Sequence, residues 1–388
     1  MLSAALALSL LLGAALAPVH GIPVTGLAPT LARRQSTGPP WFAAYSDKWV
    51  TGAAPSVQDI YGFNVFILSF LMASGAVDQA QNWEELDAAT RSTIKSEYAA
   101  AGIKLMVSAF GSTDTPTSSG DDPTTTANNI AAWVIEYGVD VDYEDFTAMN
   151  LADGTAETWL TTFTQALRAQ LPSGQYLITH APVAPWFCGT TKYASGAYVT
   201  VNQNVGSLID WYNVQFYNQG TSEYTTCTGL LTESSSTWPN SALFQINSNG
   251  GKPANTADAS NGFMDTATLA GCVQQAQGMG WSGGVMTWEY PDAASPWIEA
   301  VRADSWPVSG SPPPPPPPPA TTTAASAMPT STASGGMCGG IAAWTSGVAY
   351  VGGDEVTYNG DLWTAKWWTE NDLPGGPAGV WTDEGACS

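Results

Sequence analysis

Eight consecutive prolines, Pro312 to Pro319, divide this chain of 388 residues into two unequal parts. Proline runs hold an extended polyproline II conformation, and the Thr, Ala and Ser residues that follow them are too small and polar to form a core. We therefore predict a linker over residues 309–336, with an O-glycosylated stalk in its Thr/Ser-rich half. Residues 41–308 and 337–388 are then expected to fold as separate domains.

The first 40 residues have the pattern of a segment that is removed from a secreted protein. Residues 2–17 are small and apolar and end in Ala15-Leu16-Ala17, which is typical of a signal-peptidase site. The apolar run is shorter than the ~20 residues that span a bilayer. We interpret residues 1–20 as a signal peptide and residues 21–40 as a pro-segment with a dibasic processing site. The protein is therefore expected to be secreted and extracellular, where disulfides form.

The charge of the chain excludes several classes of partner. Acidic residues number 33 against 11 basic ones, which gives a net charge of −22. Such a surface repels nucleic acid and anionic membranes, but it does not repel a neutral polymer. The 17 Trp and 14 Tyr favour a sugar, whose C–H faces stack on aromatic rings. The chain has no C-x-x-C pair and its two histidines are far apart, so neither a metal site nor a cofactor is expected.

Residues 41–308 alternate short apolar segments with longer amphipathic ones. Eight strands that alternate with helices over about 250 residues are typical of the α/β class (β/α)₈ TIM barrel. A doubly wound open sheet has the same alternation and remains an alternative, although no Gly-x-Gly-x-x-Gly follows the first strand. The predicted strands are 41–45, 64–70, 104–110, 139–143, 176–181, 211–217, 243–246 and 283–288. The predicted helices are 83–101, 121–137, 157–171 and 266–278.

The seventh predicted strand is the least regular. Ser248-Asn249-Gly250-Gly251 follows it closely, and we interpret this glycine-containing segment as an interruption that shortens the region.

Three carboxyl groups follow one another at alternate positions of the fourth predicted strand, in Asp140-Val141-Asp142-Tyr143-Glu144. Because side chains alternate faces along a strand, all three point to one side and the apolar residues between them point to the other. In a barrel the apolar side packs on helices, so the carboxyls point inward at the end where barrel active sites lie. Close carboxylates raise one another's pKa, and a protonated carboxyl beside an ionised one suits glycoside cleavage. Glu144, the outermost, is the predicted acid.

This pentapeptide resembles the end of the signature of glycoside hydrolase family 18, in particular the hevamine-like fungal and plant chitinases. Val214-Gln215-Phe216-Tyr217-Asn218 and Gly283-Gly284-Val285-Met286-Thr287-Trp288 resemble the sixth and eighth strands of that group. One position departs from the signature, since Tyr137 stands where the family has an Asp that supports the strand.

The resemblance implies a retaining, substrate-assisted mechanism. Glu144 would protonate the glycosidic oxygen, Asp142 would orient the N-acetyl group that attacks C1, and Asp140 would share a proton with Asp142. Tyr217 would complete the catalytic set by a hydrogen bond to the acetamide carbonyl. Substrate contacts are implied for three further residues, Gln215, Trp288 and Tyr45.

Residues 337–388 are too few to build a large core, so we expect a covalent cross-link to stabilise this segment. Cys338 and Cys387 lie at the two ends of this segment, and a disulfide between them would close a long loop. The pairing of the other three cysteines, Cys188, Cys227 and Cys272, stays open.

The same segment resembles the family 5 carbohydrate-binding modules, which are small and β-rich, through Ala342-Ala343-Trp344 and residues 358–369. Adjacent Trp367 and Trp368 would point to opposite faces of a strand, so we expect at least one of them to stack on sugar.

Together these features predict a monomeric endochitinase that cleaves β-1,4-linked N-acetylglucosamine polymers. Two alternatives use the same residues: an endo-β-N-acetylglucosaminidase that acts on N-glycans, and an inactive chitin-binding lectin.

Overall fold

The structure, a computed structural model, describes residues 40–134, 138–188, 192–232 and 248–310, and most of 338–387 in short stretches: 338, 341–345, 349–350, 355–366, 369–370, 373–376 and 380–387. The chain divides into two units, with the boundary between Pro315 and Pro316 in the sequence. The predicted signal peptide and nearly all of the predicted pro-segment and linker lie outside the described residues.

The first unit contains a closed barrel of eight parallel strands, which confirms the TIM-barrel prediction and excludes the open sheet. Strand β1 (Trp41–Ser46) pairs with β2 (Val65–Met72) on one side and with the last barrel strand on the other, so the sheet has no free edge. A two-residue strand, β3 (Gly75–Ala76), forms a hairpin with β2. The remaining barrel strands are β4 (Lys104–Gly111), β5 (Gly138–Tyr143), β6 (Leu177–His180), β7 (Trp211–Gln215), β8 (Ser248–Pro253) and β9 (Gly284–Tyr290).

Helices cover the outside of the barrel. Their apolar faces pack on the outward residues of the strands, such as Val139, Val141 and Tyr143 of β5. The described helices are α1 (Asp78–Glu85), α2 (Ala88–Ala100), α3 (Pro116–Ser119), α4 (Pro123–Trp133), α5 (Phe146–Leu151), α6 (Thr155–Gln170), α7 (Tyr198–Val205), α8 (Cys227–Thr232), α9 (Thr266–Gly278) and α10 (Ser295–Arg302). None of them is both long and apolar enough to cross a membrane.

The interpretation of the seventh strand is wrong. Residues 243–246 lie outside the described part of the chain, and the seventh barrel strand is β8, the glycine-containing segment that we interpreted as an interruption. A Cβ on Gly251 would lie 2.5 Å from the Val214 carbonyl oxygen and from the end of the Met286 side chain. Glycine is therefore needed because the neighbouring strands already fill this space, and not because the strand ends here.

One predicted helix is divided in two. Residues 83–101 were expected to form one helix, but α1 ends at Glu85 and α2 begins at Ala88. Asp87 lies between them in an extended conformation, and its carboxylate accepts hydrogen bonds from the backbone N–H groups of Ala89 and Thr90. Asp is a preferred N-cap residue, so this side chain starts a new helix.

The second unit is small and β-rich, as predicted, and its described strands pair antiparallel. Its strands are β10 (Ala349–Tyr350), β11 (Glu355–Tyr358), β12 (Asp361–Ala365), β13 (Thr369–Glu370) and β14 (Trp381–Ala386). Strands β11, β12 and β14 form one sheet, and β10 pairs with β13.

The disulfides confirm one pairing and settle another. Cys338 is bonded to Cys387, as predicted, and this bond ties the two ends of the second unit together. In the first unit, Cys227 of α8 is bonded to Cys272 of α9. Cys188 is buried and takes part in neither disulfide.

Candidate active site

The inward face of β5 carries the predicted carboxylates, and Asp140 is the deepest of them. It is fully buried, and four donors surround it. Its Oδ2 accepts hydrogen bonds from the Tyr45 hydroxyl at 2.7 Å and the Ser108 hydroxyl at 2.9 Å, and its Oδ1 accepts from Thr179 Oγ1 at 2.5 Å and Asn213 Nδ2 at 3.1 Å. Burial raises the pKa of Asp140, and the four hydrogen bonds oppose this rise because they favour the carboxylate.

Asp142 and Glu144 form a coupled pair above Asp140. The two carboxyls are hydrogen-bonded to each other, and Gln215 Nε2 lies 2.9 Å from Asp142 Oδ1 and 3.1 Å from Glu144 Oε1. Burial raises the pKa of both groups, and the neighbouring charges of Glu144 and Asp140 raise the pKa of Asp142 further, to well above its ordinary value. The pair therefore holds a proton between Asp142 and Glu144 where isolated carboxyls would both be ionised.

Gln215 links this pair to a third strand. Besides the two carboxylates, its Nε2 contacts the backbone carbonyl of Ala181 at 2.9 Å. An amide nitrogen has only two hydrogens, so three acceptors share them. This arrangement fixes the side chain of Gln215 across the mouth of the barrel and keeps Glu144 close to Asp142.

Aromatic side chains lie at the same end of the barrel as the carboxyl pair. Tyr217 is buried, and both its burial and the charges of Asp142 and Glu144 raise its pKa well above 10, so the phenol remains a hydrogen-bond donor. The Trp288 ring is partly exposed and stacks on Phe70, with centroids 5.8 Å apart and planes inclined by 24°. It also lies 6.0 Å from the ring of Tyr45. These rings provide an apolar surface beside the carboxyls, which suits the C–H face of a sugar.

A second group of acidic residues lies at the same end of the barrel, near the end of β9 and in the loops that follow β1, β8 and β9. Glu289, which follows Trp288, accepts hydrogen bonds from the backbone N–H groups of Asp47 and Lys48, both at 2.9 Å. The ammonium group of Lys48 pairs with Asp292 at 2.5 Å and with Asp258. Burial raises the pKa of Asp47 to about 7. This network holds the loop after β1 against the loops that follow β8 and β9.

The structure brings the predicted barrel residues together at one end of the barrel. Those that it places there are Asp140, Asp142, Glu144, Tyr45, Gln215, Tyr217 and Trp288. Trp367 and Trp368, the predicted sugar-binding residues of the second unit, lie outside the described residues, as does Tyr137.

Sequence reasoning missed the other partners of Asp140 and Trp288. Ser108, Thr179 and Asn213 hydrogen-bond to Asp140, and Phe70 stacks on Trp288. All four lie in predicted strands. A polar residue on an inward position of a barrel strand was the available signal for the first three.

The arrangement is suited to acid–base chemistry on a neutral substrate. One carboxyl of the pair keeps its proton, the other can accept or share it, and a partly exposed aromatic ring lies at the same end of the barrel. Such a pair can deliver a proton to a leaving oxygen, and it leaves a negative charge near the carbon whose bond to that oxygen breaks.

Comparison with known proteins agrees with both units. Residues 343–382 match the carbohydrate-binding module family 5/12. The structure is similar to that of a glycoside hydrolase family 18 chitinase from Pseudoalteromonas aurantia, with 27% identity, coverage of 68% of this chain and 100% of that chain, and a TM-score of 0.55. A family 18 chitinase from Chromobacterium violaceum is 16% identical, with coverage of 69% and 84% and a TM-score of 0.50, and shares the fold.

Proposed function

We propose that this chain is a chitinase that hydrolyses β-1,4 linkages between N-acetylglucosamine units and retains the anomeric configuration. The barrel, residues 41–308, is the proposed catalytic domain, and residues 337–388 are the proposed chitin-binding module. The similarity of the barrel to a family 18 chitinase and the match of the second unit to a carbohydrate-binding family support this proposal. The observation that carries it is the hydrogen-bonded pair of buried Asp142 and half-buried Glu144, close to Tyr217 and at the same end of the barrel as Trp288.

In the proposed first step, Glu144 donates its proton to the glycosidic oxygen while the C1–O bond breaks. The carbonyl oxygen of the substrate's own N-acetyl group forms the new bond to C1, which gives an oxazolinium ion. Asp142 accepts a hydrogen bond from the N–H of that group, and the negative charge of Asp142 offsets the positive charge of the oxazolinium ion. Tyr217 donates a hydrogen bond to the acetamide, and the Trp288 ring lies under the sugar.

In the proposed second step, water attacks C1 from the face that the leaving group occupied. Glu144, now ionised, takes a proton from this water, and the bond from C1 to the acetamide oxygen breaks. The hydroxyl therefore ends on the original face of C1, and Glu144 regains the proton that it donated. Asp140 supports both steps because its four hydrogen bonds fix its carboxyl near Asp142, where its charge helps to keep the pKa of Asp142 raised.

A substrate panel tests the proposal against its alternatives. The purified protein is expected to release N,N′-diacetylchitobiose from colloidal chitin and to leave a high-mannose glycoprotein intact. Proton NMR in the first minutes should show the β-anomer of the new reducing end before mutarotation. Release of N-glycans without chitin cleavage would favour the endo-β-N-acetylglucosaminidase alternative. Chitin binding without any cleavage would favour the inactive lectin.

Secretion is part of the same proposal. Two disulfides in the described structure are consistent with an oxidising, extracellular environment. The N-terminal residue of the protein recovered from culture medium tests this point, and we expect it to lie between residues 18 and 41 of this sequence.

A further inference from the structure

A buried lysine lies beneath the loops that carry Tyr217. Lys252 belongs to β8, and its side chain is fully buried. Its ammonium nitrogen donates to the backbone carbonyl of Phe216 at 3.0 Å, to that of Gly262 at 2.9 Å, and to that of Tyr224. An ammonium group has three hydrogens, and here each one has an acceptor.

Burying this charge is costly, so its position needs a reason. Within the described residues Lys252 forms no ion pair with a carboxylate, and carbonyl dipoles alone oppose the cost of burial. Burial lowers the pKa of Lys252 to about 7. A methionine of similar length would fill the same volume without this cost, but it would remove a donor from each of three carbonyls.

Two of the three carbonyls, those of Phe216 and Gly262, lie beside the backbone of Tyr217. Phe216 precedes Tyr217, so the carbonyl that Lys252 holds belongs to the peptide bond that leads into this residue. On the other side, Gly262 lies so close that a Cβ there would be 2.6 Å from the Tyr217 Cα. The next residue, Asn218, is tied to the same loop because its N–H donates to the Asn261 carbonyl at 3.1 Å. Lys252 thus fixes both segments between which Tyr217 is held.

We propose that Lys252 is a positioning residue that sets the phenol of Tyr217 against the carboxyl pair of Asp142 and Glu144. It touches no substrate, and it acts through the carbonyls of Phe216 and Gly262. The inference rests on the proposed function, because the role of Tyr217 belongs to that proposal.

A double-mutant cycle tests the inference in the full chain. Lys252→Met should lower kcat about tenfold on a soluble chito-oligosaccharide, because the phenol moves away from the acetamide. In a Tyr217→Phe background the same substitution should lower kcat by less than about twofold, since there is no phenol left to misplace. Equal fold losses in the two backgrounds would show that Lys252 stabilises the barrel without positioning Tyr217, and would overturn the inference.

Lys104 offers a matched control. It is also a buried barrel lysine, but it begins β4 at the opposite end of the barrel, where its ammonium lies 5.6 Å from the ring centroid of Trp41. Lys104→Met is expected to change kcat less than about twofold in both backgrounds. A coupling to Tyr217→Phe as large as that of Lys252→Met would contradict the specific role of Lys252.

A second variant covers the case in which Lys252→Met does not fold. Gly262→Ala pushes on the Tyr217 Cα directly, and its effect on kcat should also shrink in the Tyr217→Phe background. Equal losses from Gly262→Ala in both backgrounds would contradict the inference.

Binding separates this inference from the proposed function. If the wild-type protein cleaves no chito-oligosaccharide, the proposed function fails. The same cycle is then measured as dissociation constants of tetra-N-acetylchitotetraose in the Glu144→Gln background by calorimetry. Coupling between Lys252 and Tyr217 in affinity would support the inference, and strictly additive effects would refute it.

Discussion

Removal of the Cys338–Cys387 disulfide should abolish chitin binding and leave cleavage of soluble substrates intact. The bond joins residues separated by 49 positions. A loop of this length loses about 14 cal/mol/K of unfolded-state entropy, which corresponds to about 4 kcal/mol at 25 °C. A folded segment of about 50 residues has only ~2.5–7.5 kcal/mol of total stability. Its described core is small and consists mainly of Val356, Ala365 and Trp381. Losing the disulfide therefore removes most of the stability of this unit.

The assay uses the full chain with Cys338→Ser and Cys387→Ser together, so that no unpaired thiol is left. Binding to colloidal chitin is measured by pull-down, unfolding in urea by tryptophan fluorescence, and catalysis on a soluble oligosaccharide. The control replaces Cys227 and Cys272, which are 45 positions apart in the barrel, and should retain chitin binding. Unchanged chitin affinity and an unchanged urea transition in the first variant would refute the reasoning.

Three further predictions concern the barrel. Burial raises the pKa of both Asp142 and Glu144, so kcat should be highest at acidic pH. As the pH rises through these raised pKa values, the pair loses its proton and kcat should fall. A kcat that stays flat to about pH 9 would contradict this prediction. Tyr45→Phe removes a donor to Asp140, and kcat should fall about tenfold in steady-state assays; the urea midpoint should fall as well, because Asp140 and Asn213 both lose a buried hydrogen-bond partner. Trp288→Ala should lower kcat/KM on chitotetraose at least about tenfold because the apolar surface is lost, and near-wild-type kinetics would contradict that role.

The carboxyl positions could be predicted from the sequence because the alternation of side chains along a strand is strict. Once Val139 and Val141 are assigned to the helix side, Asp140 and Asp142 have no other face to occupy. Seven of the eight barrel strands were predictable because they lie in short, largely apolar segments that stand out from the amphipathic segments between them.

Other features depend on neighbours that are distant in sequence. Strand β8 has a glycine at position 251 because Met286 and the backbone of Val214 occupy the space beside it, and no local pattern reveals this. The pairing of Cys227 with Cys272 follows from the contact between α8 and α9, which spacing alone does not give. Lys252 appears in the sequence as one of few basic residues, and only the structure shows that its partners are three backbone carbonyls.

The central claim is that Glu144 delivers the proton that cleaves the glycosidic bond. Glu144→Gln preserves the shape of the side chain and removes its acidity, and Glu299→Gln on the exposed face of α10 serves as the control. We expect Glu144→Gln to lower kcat on chitotetraose by about 10³-fold or more, with the dissociation constant and the urea midpoint near their wild-type values, while the control keeps full activity. Wild-type turnover by a folded Glu144→Gln protein would contradict the account.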